Sequence, residues 1–138
     1  MEQLDIPART WAEIDLAALR YNLQAVRRLA GPAMDVMAVV KANAYGHGVG
    51  PVTEALRDEV EMFGVANVAE ALEVRAHASK TPIVLLGPAL PGERAAVVEH
   101  EFIPSVSSLE EARAYGQLAP AHCRRFCRFG KGTIRSHR

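Results

Sequence analysis

A lysine followed four residues later by a tyrosine is the pair of side chains in this sequence best suited to chemistry. Lys41 ends the apolar run 36–40, and Tyr45 precedes a turn bracketed by Gly46 and Gly48. An amine at the mouth of a buried strand is partly desolvated, which disfavours its ammonium form and leaves a nucleophile that can condense with a carbonyl group. We therefore expect Lys41 to form a Schiff base and the phenol of Tyr45 to reach what the lysine holds. The alternative is that Lys41 only extends from a core strand to water.

The elements that would position this pair alternate between apolar runs and amphipathic helices. The first helix is predicted over 16–30, after the N-cap Asp15 and before Gly31-Pro32. Apolar runs without alternation predict strands buried on both faces, as in a parallel sheet covered by helices. The predicted strands are 36–40, 62–66, 83–86 and 102–106, and the later predicted helices are 50–59, 68–78, 92–99 and one opened by a capping box of Ser107 and Glu110.

This alternation predicts an α/β fold of about four βα units, joined by right-handed crossovers. Periodicity alone leaves two architectures open, half of an eight-stranded barrel or a small open sheet. In a barrel the functional groups gather at the carboxyl ends of the strands, which is where Lys41 lies. Because proline cannot donate to the ladder, Pro104 either argues against a central position for the last strand or marks the end where its pairing frays.

Composition limits the class of protein. The 138 residues are one domain's worth, and 49% hydrophobic content is enough for an ordinary core. No run approaches the length of a membrane span, the first residues lack the plan of a signal peptide, and the two cysteines do not form a disulfide framework. We expect a cytoplasmic protein.

The last twenty residues differ from the rest. All 16 acidic residues precede residue 119, whereas six of the 16 basic residues follow it. We therefore predict two regions, a folded region 1–118 and a basic tail 119–138 that is disordered or translated out of frame. An alternative is a tail that binds nucleic acid, which we do not favour. The tail's histidines and cysteines match no common zinc spacing, and no metal site is predicted.

Several segments resemble one enzyme family. The decapeptide Val39–Gly48 resembles the pyridoxal-phosphate attachment motif of bacterial alanine racemases, and further segments resemble other parts of that family in the same order. These are 10–16 for the family's opening, 63–66 with Glu70-Ala71 and 82–87 for its second and third strands, and 105–109 for its fourth unit.

The resemblance implies a partial (β/α)8 barrel, the fold type III of enzymes that use pyridoxal 5'-phosphate. It implies that Lys41 holds the cofactor as a Schiff base and exchanges a proton on one face of the substrate's α-carbon. It also implies that Tyr45 contacts the cofactor's phosphate, while Asn43 and His47 shape the turn. The activity implied is the interconversion of L- and D-alanine, which supplies D-alanine for cell-wall precursors.

The same resemblance shows what the sequence lacks. The family's second base is a tyrosine from a C-terminal domain of the partner subunit, and neither Tyr21 nor Tyr115 matches it. The family's later barrel strands, with their phosphate-binding residues and arginine, have no counterpart after residue 118. We therefore expect the N-terminal portion of an alanine racemase, truncated or shifted in frame and inactive alone.

Three further expectations follow. A four-unit segment would expose two strand edges, so it should form a homo-oligomer or aggregate. One alternative function is a module that binds pyridoxal 5'-phosphate without catalysis. The other is an interaction protein that works through its basic tail.

Overall fold

The computed structural model describes residues 10–118. Helices alternate with three parallel strands in the order expected of successive βα units. The elements are α1 (Leu16–Ala30), β1 (Met37–Val39), α2 (Lys41–Tyr45), α3 (Val49–Leu56), β2 (Met62–Val65), α4 (Val68–His77), β3 (Ile83–Leu85), a 3-10 turn (Pro91–Glu93), α5 (Arg94–Glu99) and α6 (Leu109–Leu118).

Helix α1 has the predicted bounds because both of its ends are marked in the sequence. The Asp15 carboxylate accepts hydrogen bonds from the N–H groups of Ala17 and Ala18, at 2.9 and 3.0 Å. At the other end Gly31 has a φ of +89°, a conformation that glycine adopts without strain.

The sheet has the order β1-β2-β3, and all of its pairs are parallel. The predicted fourth strand at 102–106 is wrong, because only Ile103 pairs, as an isolated bridge to Val84. The N–H of Ile103 donates to the carbonyl of Ile83, and the N–H of Leu85 donates to the carbonyl of Ile103. Pro104 follows with no N–H to donate, which prevents the ladder from continuing. The fold is a partial (β/α)8 barrel.

The two faces of the sheet differ in burial. The helices cover the outer face, where Phe63, Val65, Ile83 and Leu85 are fully buried. On the inner face a Cβ added to Gly64 would meet the side chains of Met37, Val39 and Leu86, which places these residues on one side of the sheet. Met37 is 38% exposed and Leu86 is 40% exposed.

The prediction that the first strand is buried on both faces is therefore wrong. In residues 10–118, β1 is an edge strand of the sheet, and its inner face is not fully covered. A barrel buries that face only by closing on itself, and the described strands form an arc of the barrel.

Two predicted helix starts also differ from the structure. The N-terminal hydrogen bonds of α6 come from Ser108, whose Oγ accepts from the N–H of Glu111, and from Glu111, whose carboxylate accepts from the N–H of Ser107. The predicted pair of Ser107 and Glu110 is thus one residue early, because Glu111 is the buried glutamate of the two. The helix predicted over 92–99 begins as the 3-10 turn and continues as α5.

The basic tail, with the boundary drawn at residue 118, lies outside the described residues, so both stay predictions. Within residues 10–118, none of the helices has the length and apolar character needed to cross a membrane. The same range holds no cluster of three or more His, Cys, Asp or Glu side chains that would suit a metal ion.

Candidate functional site

Lys41 lies where β1 ends, at the carboxyl edge of the sheet. The N–H of Val40 makes the last bond to β2, donating to the carbonyl of Gly64 at 2.9 Å. The next residue, Lys41, is partly buried, and its amine makes no hydrogen bond or ion pair with any residue from 10 to 118. An amine without a protein partner at this edge is available to a ligand.

The segment that follows the lysine is left-handed. Ala42, Asn43, Ala44 and Tyr45 have φ values of +53°, +54°, +51° and +55°. For residues with a Cβ atom this conformation costs about 1–2 kcal/mol each. Such strain persists only where surrounding contacts hold it, and it is concentrated at functional sites. Helix α2 is therefore one strained left-handed turn, with Lys41 at its start and Tyr45 at its end, just before Gly46.

Asn43 holds the far end of this turn. Its side-chain oxygen accepts a hydrogen bond from the N–H of Val49 at 2.7 Å, which ties the turn to the start of α3. Its carbonyl accepts from the N–H groups of Gly46 and Gly48, at 3.0 and 3.1 Å. Both glycines have positive φ, so the expected tight turn is confirmed at these two positions.

Glu70 holds the near end of the turn. One carboxylate oxygen accepts from the N–H of Ala42 at 2.9 Å, and the other accepts from the N–H of Ala66 at 2.7 Å. The backbone of Glu70 is itself fixed, since its N–H donates to the side chain of Asn67, the N-cap of α4. Reasoning from the sequence missed this residue as part of the site, although the spacing of Asn67 and Glu70 is that of a capping box.

Tyr45 and His47 occupy the end of the turn that faces water. Tyr45 is 58% exposed, and its hydroxyl makes no hydrogen bond within residues 10–118. A ring nitrogen of His47 lies 2.8 Å from the carbonyl oxygen of Ala44, so this histidine contacts the turn itself. Lys41 and Tyr45 thus occupy the two ends of one turn at the carboxyl edge.

The neighbouring strand exits form a closely packed rim beside the turn. A Cβ added to Gly87 would lie 2.6 Å from the carbonyl oxygen of Ala66, so a side chain at 87 would collide with backbone. The N–H of Leu86 donates to the carbonyl of Val65 at 2.7 Å, and Ser105 donates to the carbonyl of Leu85. At this part of the edge the backbones of the two neighbouring strand exits are therefore in close contact.

The side chains whose pKa values are shifted lie away from the lysine turn. The N–H of Val36 and the guanidinium of Arg27 bond the Glu61 carboxylate and hold its pKa below the ordinary value. Burial lowers the pKa of Arg75 and raises the pKa of Tyr115. Glu61 and Arg75 both belong to the amino edge of the sheet, away from Lys41.

The donor set at the carboxyl edge suits an aldehyde cofactor that also carries an anionic group. It offers one amine that has no partner among residues 10–118 and one accessible phenol hydroxyl, joined by the left-handed turn. The parallel βα arrangement places the chain in the class of (β/α)8 barrels, whose functional groups lie on the loops after the strands, at this edge.

The family within this class is shown by comparison with known proteins. The model of the alanine racemase N-terminal domain matches residues 14–127, so the chain belongs to that family. The match includes the motif around Lys41 and also reaches past residue 118.

Individual relatives agree with this assignment. The chain is 39% identical over 111 residues to an alanine racemase of Halothermothrix orenii, a match that covers 80% of this chain and 29% of the relative. Among solved structures, alanine racemase of Clostridium difficile 630 in complex with cycloserine superposes with a TM-score of 0.78 at 33% identity, covering 84% of this chain and 32% of that one.

A third comparison bears on the cofactor. Alanine racemase from Bartonella henselae, solved with covalently bound pyridoxal phosphate, superposes with a TM-score of 0.69 at 28% identity, over 78% of this chain and 30% of that one. In all three comparisons the chain spans less than a third of the relative's length.

Proposed function

We propose that Lys41 binds pyridoxal 5'-phosphate covalently and that Tyr45 contacts its phosphate. The observation that carries the proposal is a lysine that has no partner within the described part of the chain, joined by a strained turn to an exposed phenol, at the carboxyl edge of a chain of this family. Strain of this kind is concentrated at ligand-binding and active sites, and the bonds from Asn43 and Glu70 hold the turn as the supporting contacts of such a site do.

The roles of the two side chains follow from their chemistry. When bound, the cofactor supplies a sink for the electrons left on the substrate's α-carbon after proton loss. The Nζ of Lys41 would act on one face of that carbon only, as the general base that removes its proton in one direction of the reaction and as the general acid that delivers a proton there in the other. The hydroxyl of Tyr45 donates a hydrogen bond to a phosphate oxygen, which orients the ring relative to Lys41.

We propose alanine as the substrate and interconversion of its L and D forms as the reaction of the complete enzyme. A second base on the opposite face of the α-carbon is needed, and residues 10–118 place no other tyrosine beside the turn. Tyr21 is exposed on α1, and Tyr115 is buried on α6 with the guanidinium of Arg94 6.0 Å from its ring centroid. We infer that this chain alone holds the cofactor without completing racemisation.

We also propose that the chain associates with itself. Among residues 10–118 the β1 edge is left without a pairing strand, and the side chains of Met37 and Leu86 are 38% and 40% exposed on the inner face. Such surfaces favour pairing with another copy. Sedimentation should therefore show oligomers or aggregates, and a stable monomer at micromolar concentration would contradict this. The cytoplasmic location stays a prediction from the sequence.

The cofactor assignment is tested by titrating the purified chain with pyridoxal 5'-phosphate and recording its absorbance. We expect the absorbance band of a lysine adduct, which borohydride fixes and which K41A abolishes. Y45F should weaken the apparent affinity by about tenfold, the loss of one charge-assisted hydrogen bond. Y21F is the matched control, because Tyr21 is an exposed tyrosine on α1. An adduct that persists in K41A would overturn the assignment.

A further inference from the structure

One carboxylate joins the exits of two neighbouring strands at the proposed site. The two oxygens of Glu70 accept separate backbone hydrogen bonds, from Ala42 just after β1 and from Ala66 just after β2. Hydrogen bonds to an ionised acceptor are stronger than neutral ones. Glu70 is thus a bridge between the lysine turn and the second βα unit.

A helix cap explains only half of this arrangement. Glu70 is in the first turn of α4, its N–H donates to the side chain of the N-cap Asn67, and its carboxylate accepts from the N–H of Ala66, the residue before the N-cap. The bond to Ala42 spans 28 positions of sequence and contributes nothing to the cap. This bond therefore acts on the left-handed turn that begins at Ala42.

Ala42 is the first of the four left-handed residues, and its N–H belongs to the peptide group that joins it to Lys41. Because a peptide group is planar, a bond that fixes this N–H also fixes the Cα of Lys41 relative to the turn. An alanine with φ of +53° would relax to a right-handed or extended conformation if nothing held it. Relaxation would move Lys41 and Tyr45 relative to each other.

We propose that Glu70 is a positioning residue for Lys41, which acts by holding the left-handed turn through the N–H of Ala42. This inference rests on the proposed function, since it assigns a residue that sets the geometry of the cofactor lysine. Within residues 10–118 the carboxylate hydrogen-bonds backbone N–H groups only, so its effect would reach the cofactor through Lys41 and Tyr45.

The test compares E70Q and E70A with E73Q in the full chain. Glutamine keeps one acceptor oxygen but replaces the other with an NH2 group, which cannot accept from a backbone N–H. Glu73 is an exposed glutamate on the same helix without a hydrogen bond or ion pair among residues 10–118, which makes E73Q the matched control.

Two readouts are recorded for each variant. The first, without cofactor, is amide hydrogen exchange at Ala42 and Ala66 by NMR, with the strong intraresidue Hα–HN NOEs that positive φ produces at Ala42 and Asn43. The second is the apparent affinity for pyridoxal 5'-phosphate, measured from the adduct that borohydride fixes at Lys41.

We expect E70A to lose protection at both Ala42 and Ala66, and E70Q to lose it at one or both, because glutamine keeps a single acceptor oxygen. A variant that loses protection at Ala42 should bind the cofactor at Lys41 about tenfold or more weakly, with E73Q unchanged. If E70A does not fold, E70L, which also removes both acceptor oxygens, replaces it. Unchanged protection at Ala42 in a variant that lacks both oxygens would overturn the proposal. So would lost protection with unchanged affinity, because the turn would then not govern the lysine.

Failure of the proposed function has a different signature. If the unsubstituted chain forms no adduct at Lys41, the cofactor assignment fails and the role of Glu70 toward it fails too. In that case E70A would still change the amide exchange at Ala42. The two failures are therefore distinguishable in one set of samples.

Discussion

The two edges of the sheet are built in opposite ways. At the amino edge, arginine side chains join the chain segments that lead into the strands. The guanidinium of Arg75 donates to the carbonyls of Ala78 and Thr81, at 3.1 and 2.9 Å, and also to those of Ser79 and His100. Arg27 bonds the carbonyl of Glu59 and the carboxylate of Glu61.

At the carboxyl edge the chain is strained, and a lysine and a tyrosine are left without protein partners within residues 10–118. Here carboxylate and amide side chains bond backbone N–H groups, as Glu70 and Asn43 do. At the amino edge the bonds run mainly from arginine to backbone carbonyls. We infer that the amino edge stabilises the barrel segment, whereas the carboxyl edge holds a strained geometry suited to binding a ligand.

The largest effect is expected from R75A. Removing the guanidinium leaves four carbonyls without their donor and uncovers Phe102, so we expect a loss of about 3 kcal/mol in the free energy of unfolding. Denaturant titration measures it, with R113A as the control, because Arg113 is exposed and makes no hydrogen bond or ion pair in the described part of the chain. Equal stability of the two variants would remove the contrast between the edges.

Two alanine-to-glycine substitutions test the backbone strain at the carboxyl edge. Ala42 is left-handed, so A42G should relieve strain and stabilise the fold by about 0.5–1 kcal/mol after the entropy lost from the unfolded chain is counted. Ala112 is exposed within α6, where A112G should destabilise by about 1 kcal/mol. Thermal unfolding of both variants measures the difference in sign. Destabilisation by A42G equal to that by A112G would show that Ala42 carries no strain.

The smallest effect concerns pH. Glu61 has a lowered pKa in the folded chain, first because of the Val36 N–H and then because of Arg27. Its contribution to stability is complete above the unfolded pKa, near 4.5, and is lost as pH falls through the folded value. E61Q should flatten the acid limb of the stability profile, and E99Q, at an exposed glutamate without such partners in residues 10–118, should not. Identical acid limbs for E61Q and the unsubstituted chain would contradict this.

The sequence predicts a helix or strand well where residues at its own ends fix its bounds. The bounds of α1 follow from Asp15 and Gly31, and the strand starts at Met62 and Ile83 follow from apolar runs. The fourth strand is wrong because the apolar run 102–106 outweighed Pro104, the one residue in it that marks where the pairing ends after Ile103.

The site is predictable only in part. The motif predicts Lys41, Tyr45 and the glycine turn. The residue types at positions 42–45 do not predict four left-handed residues in succession, because alanine and tyrosine rarely adopt that conformation. That conformation depends on a contact with Glu70, which lies 28 positions away in the next βα unit. Tertiary contacts of this kind are invisible to local propensity.

Labelling of lysines at the two edges tests the central claim most directly. Lys41 lies at the carboxyl edge, whereas Lys80 is exposed in the segment that leads into β3 at the amino edge. The chain is mixed with less than one equivalent of pyridoxal 5'-phosphate, treated with borohydride and mapped by peptide mass spectrometry. We predict at least about a tenfold preference for Lys41, equivalent to about 1.4 kcal/mol. Equal labelling of Lys41 and Lys80 would contradict the assignment of the carboxyl edge as the functional one.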